Sequence, residues 1–342
     1  MKKHFLKFFL LAVLVGGMSQ VADAQKRNSS KRSTKKSTKT KTKANITPAA
    51  ATTDSVAVAT PAPPEPVNDS LPIKTVKKSL RPDEAVETTF LKERTPLPYE
   101  HLRADDAVYR HKIWREIDTR EKLNKTFNYS ADENNGNQRF ISILLQAIQD
   151  STSGITVFSN IDDRFTTPMT KAEVAKIIGG DEIEVPIFDE NGNQTGTKKM
   201  RPEINLDSFY KFRIKEEVIF DKESSRLFWR ILGIAPVKNV ITSMGINLGE
   251  TELFWVYYPD MRPIFAGYEV YNGKNYGARM SWEELFESRM FYGRIIKSTM
   301  DNPDDQLIKN KKGFTENPLL QLYEGENIKE KIFNYEQDLW SY

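Results

Sequence analysis

Apolar residues in the first half of the folded region recur mostly at helical intervals, and those further on shift towards alternation. Over Asp105–Tyr129, Tyr109, Ile113 and Ile117 recur every four residues with Trp114 beside them, and Arg110, Arg115, Arg120, Glu121 and Lys122 lie between. That spacing predicts an amphipathic helix opening the folded domain, with Asp105 or Asp106 as its cap. Phe140, Ile143, Leu144, Ala147 and Ile148 predict a second helix over Gln138–Asp150, after a loop at Asp132–Asn137. Thr170 with Glu173 and Ser281 with Glu284 have capping-box spacing. The first predicts a short helix closed by Gly179 and Gly180. The second predicts a helix running to Lys297 and stopped by Asp301–Asp305. Pro318–Trp340 reads as helical with a break near Gly325, and a short helix is expected over Asp83–Lys92, ended by Thr95–Pro98.

Strand-like runs come between these helices. Ile155–Phe158 is a short one, and Glu182–Phe188 and Thr195–Met200 flank Asp189–Asn193, a hairpin-type turn. Oxygen ligands in that turn do not alternate as a calcium loop requires. Tyr210–Phe220 and Arg226–Ile234 surround a polar turn, and Leu253–Tyr258 follows. β-Branched and aromatic content with short polar turns favours antiparallel pairing. The class is therefore α+β: an antiparallel sheet with packed helices, in a single compact domain or two closely packed lobes meeting near residue 180.

Composition changes how much of the chain belongs to that domain. Lys2, Lys3 and Lys7 precede the apolar run Phe8–Val15, and Ala22-Asp23-Ala24 is a small-x-small site, so residues 1–24 read as a signal peptide cleaved between Ala24 and Gln25. Residues 26–43 carry nine positive charges, no negative ones and no apolar side chain; Ala/Thr/Pro-rich sequence follows to residue 80. Residues 25–80 therefore form a disordered tether, or an arm for an anionic surface, and 81–342 form the domain. Twelve Lys/Arg against three acids in 25–80 precede thirty-five against forty-three in the remainder, a basic tail before an acidic body. The 342 residues include no cysteine, which excludes disulfides, thiol catalysis and lipid attachment through cysteine. Export argues against nucleic acid as the partner of the basic run.

Candidate chemistry is sparse. His101 and His111 have no metal-ligand spacing, and neither a phosphate-binding GxxxxGK[ST] loop nor a GxGxxG turn occurs, so no cofactor is expected. Carboxylate neighbours at Asp162-Asp163, Glu216-Glu217 and Glu283-Glu284 leave glycan hydrolysis open by inventory, but neighbours on one strand face opposite ways. Aromatics crowd Phe228–Tyr292; most belong to the core, but they are more than one core needs, which points to a minority in a subunit contact. Trp255, Tyr258, Arg120, Glu121, Trp340 and Tyr342 are the contact candidates.

Three stretches together resemble one known family. They are Trp114–Asn124; Arg213–Glu217 with Phe220–Lys222 and Ile231–Pro236; and Leu253–Pro259 with Arg279–Phe286 and the ending Ile332–Trp340. In these the chain is similar to the GldN/PorN family of gliding-motility and type IX secretion proteins of Bacteroidetes. The resemblance implies a periplasmic structural subunit without enzymatic activity or cofactor. It implies self-association within a ring, assembly with a GldK/PorK-type outer-membrane lipoprotein, and contact with a GldM/PorM-type motor protein. Attachment to the inner face of the outer membrane would then be indirect, through the lipoprotein. A periplasmic glycan-acting enzyme or peptidoglycan-binding adaptor is the alternative.

Overall fold

The computed structural model describes residues 70–82, 85, 94–180, 183–188, 194–200, 204–241, 246–274 and 279–340. The leader, the basic run and most of the helix expected over Asp83–Lys92 lie outside that set. In chain order the elements are β1 (Ala107–Asp118), β2 (Asp132–Glu133), β3 (Gly136–Asn137), α1 (Phe140–Gln149), β4 (Val157–Ser159), β5 (Pro168–Met169) and α2 (Lys171–Gly179). They continue with β6 (Ile183–Phe188), β7 (Gln194–Met200), β8 (Lys211–Asp221), β9 (Arg226–Ile241), β10 (Asn247–Glu252), β11 (Phe254–Tyr257), α3 (Tyr258–Ala266), α4 (Trp282–Glu287), β12 (Arg294–Ser298) and α5 (Pro318–Trp340).

The expected opening helix is a strand. Four is a multiple of two, so Tyr109, Ile113 and Ile117 share one side of a strand as readily as one stripe of a helix. β1 pairs antiparallel with β8 from Ala107↔Asp221 to Asp118↔Lys211 and with β12 on its other edge. The β8 ladder pairs β1 along its length and the β12 ladder pairs Ile113–Glu116 on the other edge, and Trp114 is buried because the opposite face of the sheet is covered too. The sheet runs β12-β1-β8-β9-β11-β4-β5, with β10 as a further partner of β9, and every pairing is antiparallel. β6 pairs with β7 as the flanking runs predicted, although their turn lies outside the described residues.

Parity on β8 organises the core. Phe212 and Ile214 face α1 to α4 in the larger apolar cluster, with Phe127, Phe140, Trp282 and Phe286 packed edge to face or tilted. Val218, on the same face, joins Ile113, Ile295, Ile328 and Ile332 beneath α5. Between the two clusters stands Glu216, on the same face and fully buried. The opposite face packs Trp114, Ala235 and Trp255 with Phe165 from the β4–β5 loop. Gly233 is required there, since a Cβ would lie 2.6 Å from the Phe165 ring.

Both capping boxes form, at Thr170–Glu173 and Ser281–Glu284. The helix from Ser281 nevertheless ends at Glu287. Arg289 turns the chain at φ 54°, and Ile295 and Ile296 are taken into β12, so the run to Lys297 is corrected. The break near Gly325 is corrected as well, because α5 is continuous over 23 residues. Gly325 faces the edge of β12, where a Cβ would lie 2.9 Å from the Ile295 carbonyl oxygen. The glycine permits close packing and does not interrupt the helix.

One compact unit covers Pro64–Tyr342, with no division near residue 180. Its packing starts before residue 81: Leu71 is buried in the larger cluster, and its backbone N–H donates to Gln149 Oε1 at 2.7 Å. A second N-terminal segment, Arg94–Tyr99, is clasped against α3 and α4. The Leu97 N–H donates to Glu283 and its carbonyl accepts from Arg262; Tyr99 lies between the guanidiniums of Arg230 and Arg262, 4.0 and 3.8 Å from its ring. Tyr99 Oη donates to Glu287, and burial pushes its phenol well above the usual tyrosine range.

Candidate interaction surface

Two of the expected contact residues are core. Trp255 is 2 % exposed, edge-on to Phe165, and Tyr258 is 0 % exposed, packed on Phe265 and Phe286 with its hydroxyl donating to Glu287 at 3.1 Å. Neither offers surface to another subunit. Burial of Trp255 follows from β11 being an interior strand between β9 and β4 with both faces covered, and Tyr258 is buried as the first residue of α3, turned onto Phe265 and Phe286.

Arg120 and Glu121 sit at the surface end of β1 and are engaged within the chain. Arg120 forks onto Asp118 at 2.9 and 2.5 Å and lies over the Tyr210 ring at 4.3 Å. Partial burial raises the Asp118 carboxyl, but the bonds from Arg120 outweigh it and hold the group below the usual carboxylate range. Glu121 accepts from Arg294 at 2.8 Å. α5 ends at Trp340, whose side chain, like Tyr342, Ala24 and Gln25, lies outside the described residues.

The adjacent carboxylates diverge. Glu216 accepts from Arg115 Nε at 3.1 Å and Arg289 at 2.6 Å on one face of the sheet, while Glu217 pairs with Arg110 on the other. Glu283 binds Arg262 at 2.6 Å, and Glu284 closes the Ser281 capping box and meets Arg94. Asp162 pairs with Arg164 and Asp163 with Lys215. A glycosidase needs two carboxylates converging across one sugar, and each of these pairs is spent on separate cations. His111 faces Thr299 at 3.3 Å, and burial lowers its imidazole. Among the described residues no group of three or more His, Asp or Glu side chains is placed to hold a metal ion.

The surface that stands out is α5. Its inward stripe is Gly325, Ile328, Ile332 and Tyr335, the last stacked on Tyr109 with ring centroids 4.0 Å apart. On the far side Leu319, Leu322, Tyr323 and Phe333 are exposed, by 56, 38, 58 and 57 %. A helix with apolar residues on two sides has more such surface than its own domain covers. Between α5 and β9 runs a groove of about 400 Å³, lined by Leu227, Trp229, Ile332 and Phe333 with Glu326, Lys329, Glu330 and Glu336 along it. In Phe228–Tyr292, Phe254, Trp255, Tyr258, Trp282 and Phe286 are among the core aromatics, as expected for most of that stretch, while Tyr271 and Tyr292 are exposed. The signal for α5 was present in the interval of fourteen between Leu319 and Phe333, with Leu322 and Tyr323 on the same side.

Among the described residues no helix is long and apolar enough to cross a membrane. Comparison with curated proteins gives no match. The family model described as gliding motility associated protein GldN matches residues 102–341, which takes in every strand of the sheet and the whole of α5. The chain belongs to the GldN family of gliding-motility-associated proteins.

Proposed function

We propose that this protein is a non-enzymatic structural subunit of the gliding and type IX secretion machinery. In this reading residues 1–24 direct export to the periplasm. The folded unit associates in a ring with a GldK/PorK-type outer-membrane lipoprotein and meets the periplasmic part of a GldM/PorM-type motor, so that its place at the outer membrane is borrowed. The observation that carries the reading is the family match across the whole sheet. Two features support it: the outward apolar side of α5, and the commitment of each adjacent carboxylate to a cation. A ring subunit needs head-to-tail contacts between two different surfaces that close, and such contacts require exposed apolar surface on the free chain.

Affinity purification of the tagged full chain from cells, followed by imaging of the particle, tests this. The expected result is a large closed assembly containing a lipoprotein. Recovery of an isolated monomer with no lipoprotein would overturn it.

A further inference from the structure

The outward side of α5 has a composition that selects its occupant. Leu322, Tyr323 and Phe333 are exposed, and Glu330 and Glu336, beside Phe333, have no ion-pair partner among the described residues. Over its 23 residues the helix carries five carboxylates against two lysines. Both lysines are engaged, Lys329 with Glu326 at 3.4 Å and Lys331 with Asp301 at 2.9 Å. The surface is thus a stripe of apolar knobs bordered by free negative charge, about 20 Å long from Leu319 to Phe333 at 1.5 Å rise per residue.

We infer that this side of α5 is the docking site for a basic amphipathic helix of another protein, which lays its apolar stripe along Leu322, Tyr323 and Phe333 and sets Lys or Arg against Glu330 and Glu336. The inference rests on the reading of the chain as an assembly subunit and names the chemistry of one partner. Helix-in-groove recognition reads apolar anchors at three- and four-residue spacing; Leu319, Leu322 and Tyr323 give that spacing, and Phe333 stands ten residues further on, past Glu326 and Glu330 on the same side. Charge decides among occupants. A second copy would bring a body of thirty-five basic against forty-three acidic residues, whose net charge has the same sign as this border, and an anionic lipid surface would do the same. The chain's own residues 26–43 have the right sign but no apolar residue to cover the anchors.

The test is site-specific photo-crosslinking of the full chain in cells, with the photoreactive residue at Tyr323 or Phe333 and, as control, at the 90 % exposed Ile161 on the β4–β5 loop. The expected product from Tyr323 and Phe333, and not from Ile161, is a segment of another protein with apolar residues at heptad-like spacing and an excess of Lys and Arg. Paired reversal, Glu330→Lys with Glu336→Lys, is expected to cut the yield by about tenfold or more while the thermal transition stays in place. A crosslink to a second copy, to residues 26–43, to lipid or to nothing overturns the inference, as does a yield indifferent to the reversal. If the particle is recovered intact without the expected crosslink, only this inference falls. If no assembly is recovered, the functional reading itself has failed.

Discussion

Glu216→Gln removes one negative charge from between the two apolar clusters while leaving side-chain volume almost unchanged. The carboxylate is fully buried and accepts from Arg115 at 3.1 Å and Arg289 at 2.6 Å. Removing one member of a buried ion pair costs about 3–5 kcal/mol, because the remaining charge is left in a poorly solvating site. Here the lower end applies. Arg115 keeps a bond to the Gly293 carbonyl at 3.2 Å, Arg289 keeps the Trp229 ring at 4.5 Å, and the new amide oxygen still accepts one hydrogen bond. The expected loss is about 3 kcal/mol, equivalent to a fall in Tm of roughly 6–12 °C for a body of this size. Urea unfolding followed by tryptophan fluorescence measures the first, and calorimetry the second. The pH dependence has a definite sign. Burial alone raises the Glu216 carboxyl, but Arg115 and Arg289 outweigh it, so its folded pKa lies below the ordinary 4.5. A depressed carboxyl contributes stability above the unfolded pKa and loses it as pH falls through the folded one. The gap between wild type and variant is therefore full at neutral pH and closes only in acid, below about pH 4.5. A gap under about 0.5 kcal/mol at pH 7, or one that widens on acidification, would refute the account.

Three further outcomes are expected. Gly325→Ala pushes a methyl against the Ile295 carbonyl, so α5 must lift from β12; a loss of about 1–3 kcal/mol and faster proteolysis near residue 325 should be seen, and wild-type cleavage rates would count against the packing role. Ser281→Ala removes the hydroxyl that accepts from the Glu284 N–H, and should lower stability by about 1 kcal/mol in chemical denaturation with no change in assembly. Arg120→Glu breaks an exposed pair with Asp118 and should shift the midpoint by under about 1 kcal/mol; a larger effect would mean that the Tyr210 contact matters more than its exposure suggests.

The sequence displayed its capped elements clearly and its ambiguous periods poorly. Thr170–Glu173 and Ser281–Glu284 signal helix starts through a local hydrogen-bonding exchange that needs no tertiary partner, and both were legible. Tyr109, Ile113 and Ile117 fit two periods at once, and only the ladders to β8 and β12, far away in sequence, decide for a strand. Gly325 misled in a related way, since the signature of a helix break is also that of a close approach. Trp255 and Tyr258 were misplaced as contacts, because what covers the interior strand β11 and the start of α3 is set by elements distant in sequence. The free side of α5 was readable in principle from its own spacing, but its inward side had first to be identified.

The clasp at Arg94–Tyr99 has a mechanical meaning. Tension on the chain before Leu71 meets first that buried side chain and its bond to Gln149; once these give way it reaches the domain through bonds from Leu97 and Tyr99 to Glu283, Arg262 and Glu287, all on α3 and α4. Those contacts share the load, together with the two guanidiniums that hold the Tyr99 ring, so release requires several to fail at once. The sheet ladders lie behind them in series and are spared until the clasp gives way. Such an arrangement lets the leading segment be pulled without unzipping the strands.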